Sequence, residues 1–166
     1  ASIERQGIQP LQGEFQHILD LKSPDDLHVV IAEQHKIQIN SVFASAVFAD
    51  MMDSKMNRSY LFQAGTDLPD KDYYFEPEME NIRSEYKIHI QKMFTLMGDV
   101  EQNAKNSAEA VWKIEKTLAD SQMNAVEQRD IQRQYNKMTL ADVKKLCPNF
   151  NWDAYFKSIN LEFQRA

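Results

Sequence analysis

Four histidines, one cysteine and a surplus of carboxylates are the side chains of this sequence that could do chemistry. The histidines are His17, His28, His35 and His89. None lies in a His-Glu-x-x-His string, the spacing that sets two zinc ligands and a general base on one helical face. His28 and His35 share one expected helix but are separated by about 10 Å of rise, too far for one metal ion. A surface or edge position is expected for both. His89 borders the apolar seam of a later helix, where a hydrogen-bonded packing role is expected.

Cys147 is alone, so it closes no internal disulfide. With no base or orienting partner nearby in sequence, it reads as a small buried hydrophobe rather than a nucleophile. The carboxylates of Asp25-Asp26 and Asp70-x-Asp72 read as helix-capping and solvated loop charges. Glycosidase chemistry would need two of them about 5 Å apart across a sugar, which spacing in sequence does not provide. Glu115 is a different case. It sits at the edge of the Val111, Trp112 and Leu118 face, so a partner such as an arginine or a tyrosine hydroxyl is expected. Asn57-Arg58-Ser59 fits the N-glycosylation triplet, which has meaning only in a secretory eukaryotic host. There is no phosphate-cradling Gly-rich loop, no Gly-x-Ser-x-Gly elbow and no Cys-x-x-Cys. Local chemistry alone builds no active site here.

Composition bounds the elements that carry these residues. The chain has 166 residues, of which 43% are hydrophobic and 27% charged, the balance of an ordinary globular protein of about one domain. Four glycines and five prolines argue against an all-β fold made of many tight turns. The formal charge of −6, with no local basic run, argues against nucleic acid as a partner. The longest apolar-rich run, from Val42 to Met52, is interrupted by Asp50 and is far short of the ~20 residues of a membrane span. No signal-peptide layout opens the sequence.

Periodicity predicts a mostly α protein, a multi-helix domain with a long antiparallel helix pair and a small β-hairpin. Leu11, Phe15, Ile18 and Leu19 mark a short amphipathic helix ending near Lys22. Ser23, Pro24, Asp25 and Asp26 signal the start of a second, with Leu27, Val30, Ile31 and Gln34 as its inner stripe to about Ile37. The segment 42–63 suits either a helix or a hairpin. A helical turn near residues 40–44 followed by a hairpin over residues 46–63 is preferred. Leu68 to Tyr74 is a loop with an aromatic anchor, its charges facing water. Met79, Ile82, Tyr86, Ile90, Met93 and Met97 recur at helical spacing from Pro77 to Met97. Met93 and Met97 could line a peptide groove, though core packing is the default. Gly98 stops that helix, Asp99 caps the next, and Ala104, Ala108, Val111, Trp112, Ile114, Leu118 and Ala119 give its apolar face. Asn124 to Ile131 reads as a short polar helix or turn. Thr139 caps a helix over 140–146, Pro148 ends it, and Asn151 starts a last helix carrying Trp152, Tyr155, Phe156 and Ile159. Glu162 to Ala166 carry no stop signal.

Several strings, in order, resemble the neprilysin-like family of zinc metalloendopeptidases. They are Asp26-Leu27, Ile31-Ala32-x-x-His35, Phe43, Asp50, Gln63-Ala64-Gly65 and Leu68-Pro69-x-x-Asp72-Tyr73-Tyr74. Then come Tyr86 with Ile90 and Met93, Glu115-x-x-Leu118-Ala119, Arg129-Asp130, Tyr135-Asn136-Lys137-Met138-Thr139-Leu140 and Phe150-x-Trp152-x-x-Tyr155-Phe156. Each is weak alone, but the ordered set spans roughly residues 7–160. The residues that mark the motif are Leu68, Pro69, Asp72, Tyr73, Tyr74, Glu115, Arg129, Asp130, Tyr135, Asn136 and Trp152. Their expected role is structural.

The resemblance implies a place in a larger architecture. Family members pair a thermolysin-like catalytic domain with a helical, lid-like domain, and the two enclose a chamber that admits peptides and excludes folded proteins. Residues 1–166 would be a single segment of that lid. The His-Glu-x-x-His string, the downstream glutamate ligand and the Asn-Ala-x-Tyr substrate string of the catalytic half are not in this sequence. No catalytic or zinc residue is therefore assigned, and the expected parent is a longer, zinc-dependent peptidase of which this piece alone is inactive. Its expected partners are peptide substrates and the catalytic domain, with some self-association of the isolated piece. Animal members are rich in disulfides, whereas Phe75-Glu76-Pro77 follows the double tyrosine here and Cys147 is unpaired. That points to a bacterial member outside the cytoplasm. A free-standing helical module that binds peptides or proteins without cleaving them is the other reading.

Overall fold

The computed structural model describes residues 2–160, so the tail Glu162–Ala166 lies outside the described residues. In chain order the elements are α1 (Ser2–Gln6), α2 (Gln12–Leu19), α3 (Leu27–Lys36), β1 (Phe43–Ala49), β2 (Asn57–Gln63), α4 (Asp72–Phe75), α5 (Glu80–Leu96), α6 (Glu101–Ser121), α7 (Ile131–Gln134), α8 (Leu140–Leu146) and α9 (Trp152–Ser158). Short 3-10 turns occur at Gln9–Leu11, Pro24–Asp26, Pro77–Met79 and Glu127–Arg129. The fold is mostly helical with one small hairpin, as periodicity predicts. The chain divides into two compact units. One takes its two ends, up to Ser41 and from Lys137, and the other is Val42–Asn136.

In the first unit α3 packs on α9. Ser23 Oγ accepts from the Asp25 backbone N–H at 3.1 Å, and Pro24 takes the first position of the turn that leads into α3. The buried residues of α3 are Val30, Ile31 and Ala32, whereas Leu27, expected on the inner stripe, is 42% exposed. From α9, Trp152, Tyr155 and Phe156 are buried, and Asn151 Oδ1 caps the helix by accepting from Ala154 N–H. Thr139 and Asp142 form a reciprocal capping box on α8. Cys147 is exposed, contrary to expectation. It follows an outward-facing last turn, in which Leu146 is also exposed, and only its carbonyl packs inward, accepting from Trp152 Nε1 at 3.1 Å.

In the second unit β1 and β2 pair antiparallel, in register from Phe43↔Gln63 to Ala49↔Asn57. The helical turn expected near residues 40–44 does not form. Gln38 closes α3 in the left-handed region (φ 64°), and by Phe43 the chain is already extended and paired. Phe48, Tyr60 and Phe62 share one face of the hairpin, with the last two rings stacked at 5.7 Å. Asp50, 3% exposed, organises the turn. Its carboxylate accepts from Met52 N–H (2.9 Å), Arg58 Nε (3.1 Å) and the Tyr135 hydroxyl (2.7 Å).

Helices α5 and α6 pack side by side, joined by a tight turn. Gly98 stands at φ 108°, a conformation that L side chains rarely adopt, and lets Asp99 N–H reach back to Phe94 O at 3.1 Å. The residue before α6 is Val100, which caps nothing with its side chain, so Asp99 is not the cap that the sequence suggests. Ala104, Ala108 and Ala119 are buried on α6. Met93 and Met97 are 47% and 40% exposed rather than packed in a core. Among the described residues no helix is long and apolar enough to cross a membrane.

Candidate functional site

The segment from Leu68 to Tyr74 is fixed from three sides. Asp70 Oδ1 accepts from Asp72 N–H at 2.9 Å, which starts α4, while Pro69 and Asp72 stay exposed. Lys71 does not simply face water. Its Nζ donates to Asp120 O at 2.5 Å and Gln122 O at 3.5 Å, so the ammonium caps the carbonyl end of α6. Leu68, Tyr74, Trp112 and Ala119 form a buried apolar cluster, with Tyr73 and Tyr86 packed against it. The Tyr74 ring stacks on the Trp112 indole at 5.4 Å between centroids.

At the centre of this cluster lies a carboxylate. Glu115 is 7% exposed and receives two phenols, Tyr74 Oη at 2.6 Å on Oε2 and Tyr86 Oη at 2.8 Å on Oε1. Of the two partner types expected, an arginine or a tyrosine hydroxyl, the second is present twice. Tyr74 Oη also accepts from Leu68 N–H at 3.2 Å, and Tyr86 Oη has a longer contact with Asp67 Oδ2 at 3.4 Å. Burial first, and then the hydrogen bond to Glu115, hold both phenols well above the ordinary tyrosine range. Each carboxylate oxygen thus takes one phenol, and the arrangement ties the loop to α5 and α6.

Arg83 completes the lock. Nearly buried, it donates from one nitrogen to Tyr73 O (3.1 Å) and Glu76 O (2.7 Å), and from Nε and Nη2 to the Glu80 carboxylate. Sequence reading missed it, although the signal was visible. Arg83 falls four residues after Met79 and three before Tyr86, so a cation stands inside an apolar helical stripe and must find acceptors there.

The other motif residues are dispersed. Asp130 Oδ1 caps α7 by accepting from Gln132 and Arg133 N–H, Arg129 and Asn136 are exposed, and Tyr135 serves Asp50. Trp152 belongs to the other unit, in the aromatic cluster of Phe150, Tyr155 and Phe156. The histidines also work separately. His17 lies 3.1 Å from Glu33, and His28 Nδ1 lies 2.9 Å from Asp25 O. His35, expected at a surface or edge, is half-buried with Nδ1 2.7 Å from the Tyr155 hydroxyl, where α3 packs on α9. His89, expected to pack, is exposed on the rim of a shallow apolar groove beside Leu68, Ile82 and Tyr86. Among the described residues no group of three His, Cys, Asp or Glu side chains could hold a metal ion.

A family model described as Peptidase family M13 matches residues 1–165. The chain belongs to that family. This M13 chain is 31% identical over 126 residues to an endothelin-converting enzyme homolog of Locusta migratoria, covering 75% of the chain and 17% of the relative. It is 29% identical over 137 residues to endothelin-converting enzyme 1 of Cavia porcellus (81% and 18%), and 29% identical over 132 residues to neprilysin-3 of Drosophila melanogaster (78% and 17%). Among solved structures it is similar to the Mycobacterium tuberculosis zinc metalloprotease Zmp1 in complex with inhibitor. The TM-score there is 0.89 at 26% identity, over 95% of this chain and 24% of that one. The open state of the same protease gives a TM-score of 0.88 at 26% identity. The M13 chain thus spans about a sixth of the curated relatives' length and about a quarter of Zmp1. The neprilysin-like resemblance carried by the ordered strings is the correct one.

Proposed function

We propose that this chain is part of the helical, non-catalytic lid of a zinc-dependent endopeptidase that cleaves peptides. The observation that carries the reading is the likeness of 95% of the chain, at a TM-score of 0.89, to about a quarter of a zinc metalloprotease captured with an inhibitor. The site itself agrees in kind. Its best-built contacts immobilise a loop and a helix pair, which suits a wall and not a reaction centre. Among the described residues no group of three His, Cys, Asp or Glu side chains fits the zinc of such an enzyme. Its ligands are assigned to sequence outside this chain. A lid contributes by excluding water and positioning the peptide, both of which require a rigid wall.

The test compares this chain and the full-length protein on an internally quenched peptide, with and without a chelator. Chelator-sensitive cleavage is expected from the full-length protein alone. Cleavage by the 166-residue chain, or a gene that continues with no His-Glu-x-x-His string, would overturn the reading. The same proposal takes the parent to be bacterial, supported by the unpaired Cys147 of a chain whose animal counterparts are disulfide-rich, and to lie outside the cytoplasm, which Cys147 does not address. Cell fractionation checks it. It also includes self-association of the isolated chain, supported by exposed Ile88, Leu96, Val100 and Ile114 on α5, α6 and the turn between them. Light scattering that gives only a monomer at high concentration would remove that part.

A further inference from the structure

Among the described residues the sheet of the second unit has two strands, so each strand has one open edge. The groups on that edge follow from the register. Asp50 N–H donates to Met56 O at 2.7 Å, in step with a pairing that runs without a bulge from Ala49↔Asn57 to Phe43↔Gln63. Alternation then turns the N–H and C=O of Ala44, Ala46 and Phe48 towards β2, and those of Ser45, Val47 and Ala49 outwards. The Tyr60 hydroxyl donates to Ala49 O at 3.2 Å and closes the edge at that end. Next to it, the outward groups of Ser45 and Val47 have no hydrogen-bond partner among the described residues.

An open strand edge is a template for another strand unless a charge, a proline or a bulge blunts it. β1, Phe-Ala-Ser-Ala-Val-Phe-Ala, has none of the three, and Val47 and Phe48 are 48% and 56% exposed. The strand also matches its own inverse. In an antiparallel pair of two β1 strands centred on Ala46, Ser45 meets Val47 and Ala44 meets Phe48, so each larger side chain lies beside a small one. The same register makes Ser45 and Val47 a hydrogen-bonded pair, which satisfies the outward groups of both residues in both copies. Charge agrees with it. Asp50 would fall opposite Val42 of the copy, and its carboxylate is already paired with Arg58 at 3.1 Å. β2 has no such match, because it carries Arg58, Tyr60 at its centre would meet its own copy, and the Gln63 side chain is engaged with the Met123 backbone. An unrelated extended peptide would satisfy the same backbone groups of β1 without the side-chain match, so the strand's own copy is the partner that fits.

We propose that the outer edge of β1 pairs with the same edge of a second copy of this chain, giving a four-stranded antiparallel sheet across a two-fold axis through Ala46. This surface is separate from the exposed residues of α5 and α6, and the pairing does not depend on the lid reading. One strand edge buries well under the ~1,200 Å² of a standard interface, so a weak, reversible dimer is expected, with a dissociation constant on the order of 100 μM. Sedimentation equilibrium measures it on the 166-residue chain and on the full-length protein, with a dimer expected in both. Val47→Lys sets a charge on the edge and should weaken the dimer about tenfold or more, with an unchanged far-UV circular dichroism spectrum to guard against a folding defect. Leu96→Lys, at an exposed position of α5, should change it less than about twofold. Register is read by Ala46→Cys in a Cys147→Ala background. Residues facing each other in a non-hydrogen-bonded pair have Cα atoms about 4.5 Å apart, within disulfide range. Oxidised glutathione should therefore link Ala46→Cys at least about tenfold faster than Ala44→Cys, which faces Phe48 of the copy. Four outcomes overturn the pairing. They are no dimer up to about 1 mM, a dimer lost with Leu96→Lys and kept with Val47→Lys, equal crosslinking of the two cysteine variants, and a dimer of the short chain that the full-length protein lacks. The last would mean that the edge is covered by the protein's own remaining sequence.

Discussion

Replacing Tyr74 by Phe removes one oxygen atom and keeps the ring stacked on Trp112. Two hydrogen bonds go with that oxygen, the 2.6 Å bond given to Glu115 and the 3.2 Å bond received from Leu68 N–H. The first is charge-assisted and buried, worth about 2 kcal/mol, and the second leaves a buried amide without its acceptor, costing about 1 kcal/mol or more. A total near 3 kcal/mol is expected. Tyr86→Phe removes the other donor to Glu115, but Tyr86 is only half-buried and water can replace its hydroxyl, so about 1 kcal/mol is expected. Urea denaturation followed by far-UV circular dichroism measures both. The decisive arm is a double-mutant cycle with Glu115→Leu, which fills the site with an apolar side chain of similar volume. In that background Tyr74→Phe should cost only the Leu68 bond, about 1 kcal/mol, giving a coupling of about 2 kcal/mol between residues 74 and 115. A coupling near zero, or a larger loss from Tyr86→Phe than from Tyr74→Phe, would refute Glu115 as the anchor of the loop.

Alkaline pH should unfold the chain through the same phenols. Tyr74 and Tyr86 hold their protons in the folded state above the ordinary tyrosine range, whereas the unfolded chain releases them near pH 10. Their contribution is complete below about pH 10 and is lost as pH rises beyond it, so urea midpoints should fall there, less steeply in Tyr86→Phe. Arg83→Ala strands the Tyr73 and Glu76 carbonyls and should cost about 3 kcal/mol. Arg83→Lys should recover less than half of that, because an ammonium lacks the planar fork, and denaturant curves decide. Thr139→Ala removes the hydroxyl half of the α8 capping box, leaving the backbone N–H of residue 139 to donate to Asp142, and should cost about 1 kcal/mol in the same assay. It should also let the Asp142 carboxyl, held low chiefly by Thr139, return towards its usual range in an NMR titration.

The long helices were legible because periodicity reports burial directly. Pro77 to Met97 is expected, and a 3-10 turn at Pro77–Met79 leading into Glu80–Leu96 is found. The capped helices at 140–146 and after Asn151 were legible for a local reason, since Thr139 and Asn151 act on amides within three residues. Long-range partners were not legible. The start of β1 is decided by pairing with Gln63 twenty residues on, and His35 by a hydroxyl on α9. Periodicity also says which face is apolar without saying how much of it is covered. Leu27, Met93, Met97 and Ile114, the last expected on the apolar face of α6 and 61% exposed, carry the right pattern and are still exposed. Glu115 is the instructive case: the need for a partner, an arginine or a tyrosine hydroxyl, followed from a carboxylate beside Trp112, while the choice of tyrosine and the identity of Tyr74 and Tyr86 required the fold.

The strings that identify the family overlap the buried polar joints of the second unit. Asp50 takes Tyr135 and Arg58, and Glu115 takes Tyr74 and Tyr86. An apolar core position accepts several side chains of similar volume at modest cost, so a leucine or a methionine says little about ancestry. A buried carboxylate accepts very few replacements unless its donors change with it, because any single loss strands a charge or a hydroxyl. Such pairs fix both members and their separation along the chain, as with Asp50 and Tyr135 or Tyr74 and Glu115. This is why such joints can mark the M13 family, and if the chain serves as the rigid lid proposed above, polar joints with few substitutes are what that rigidity requires.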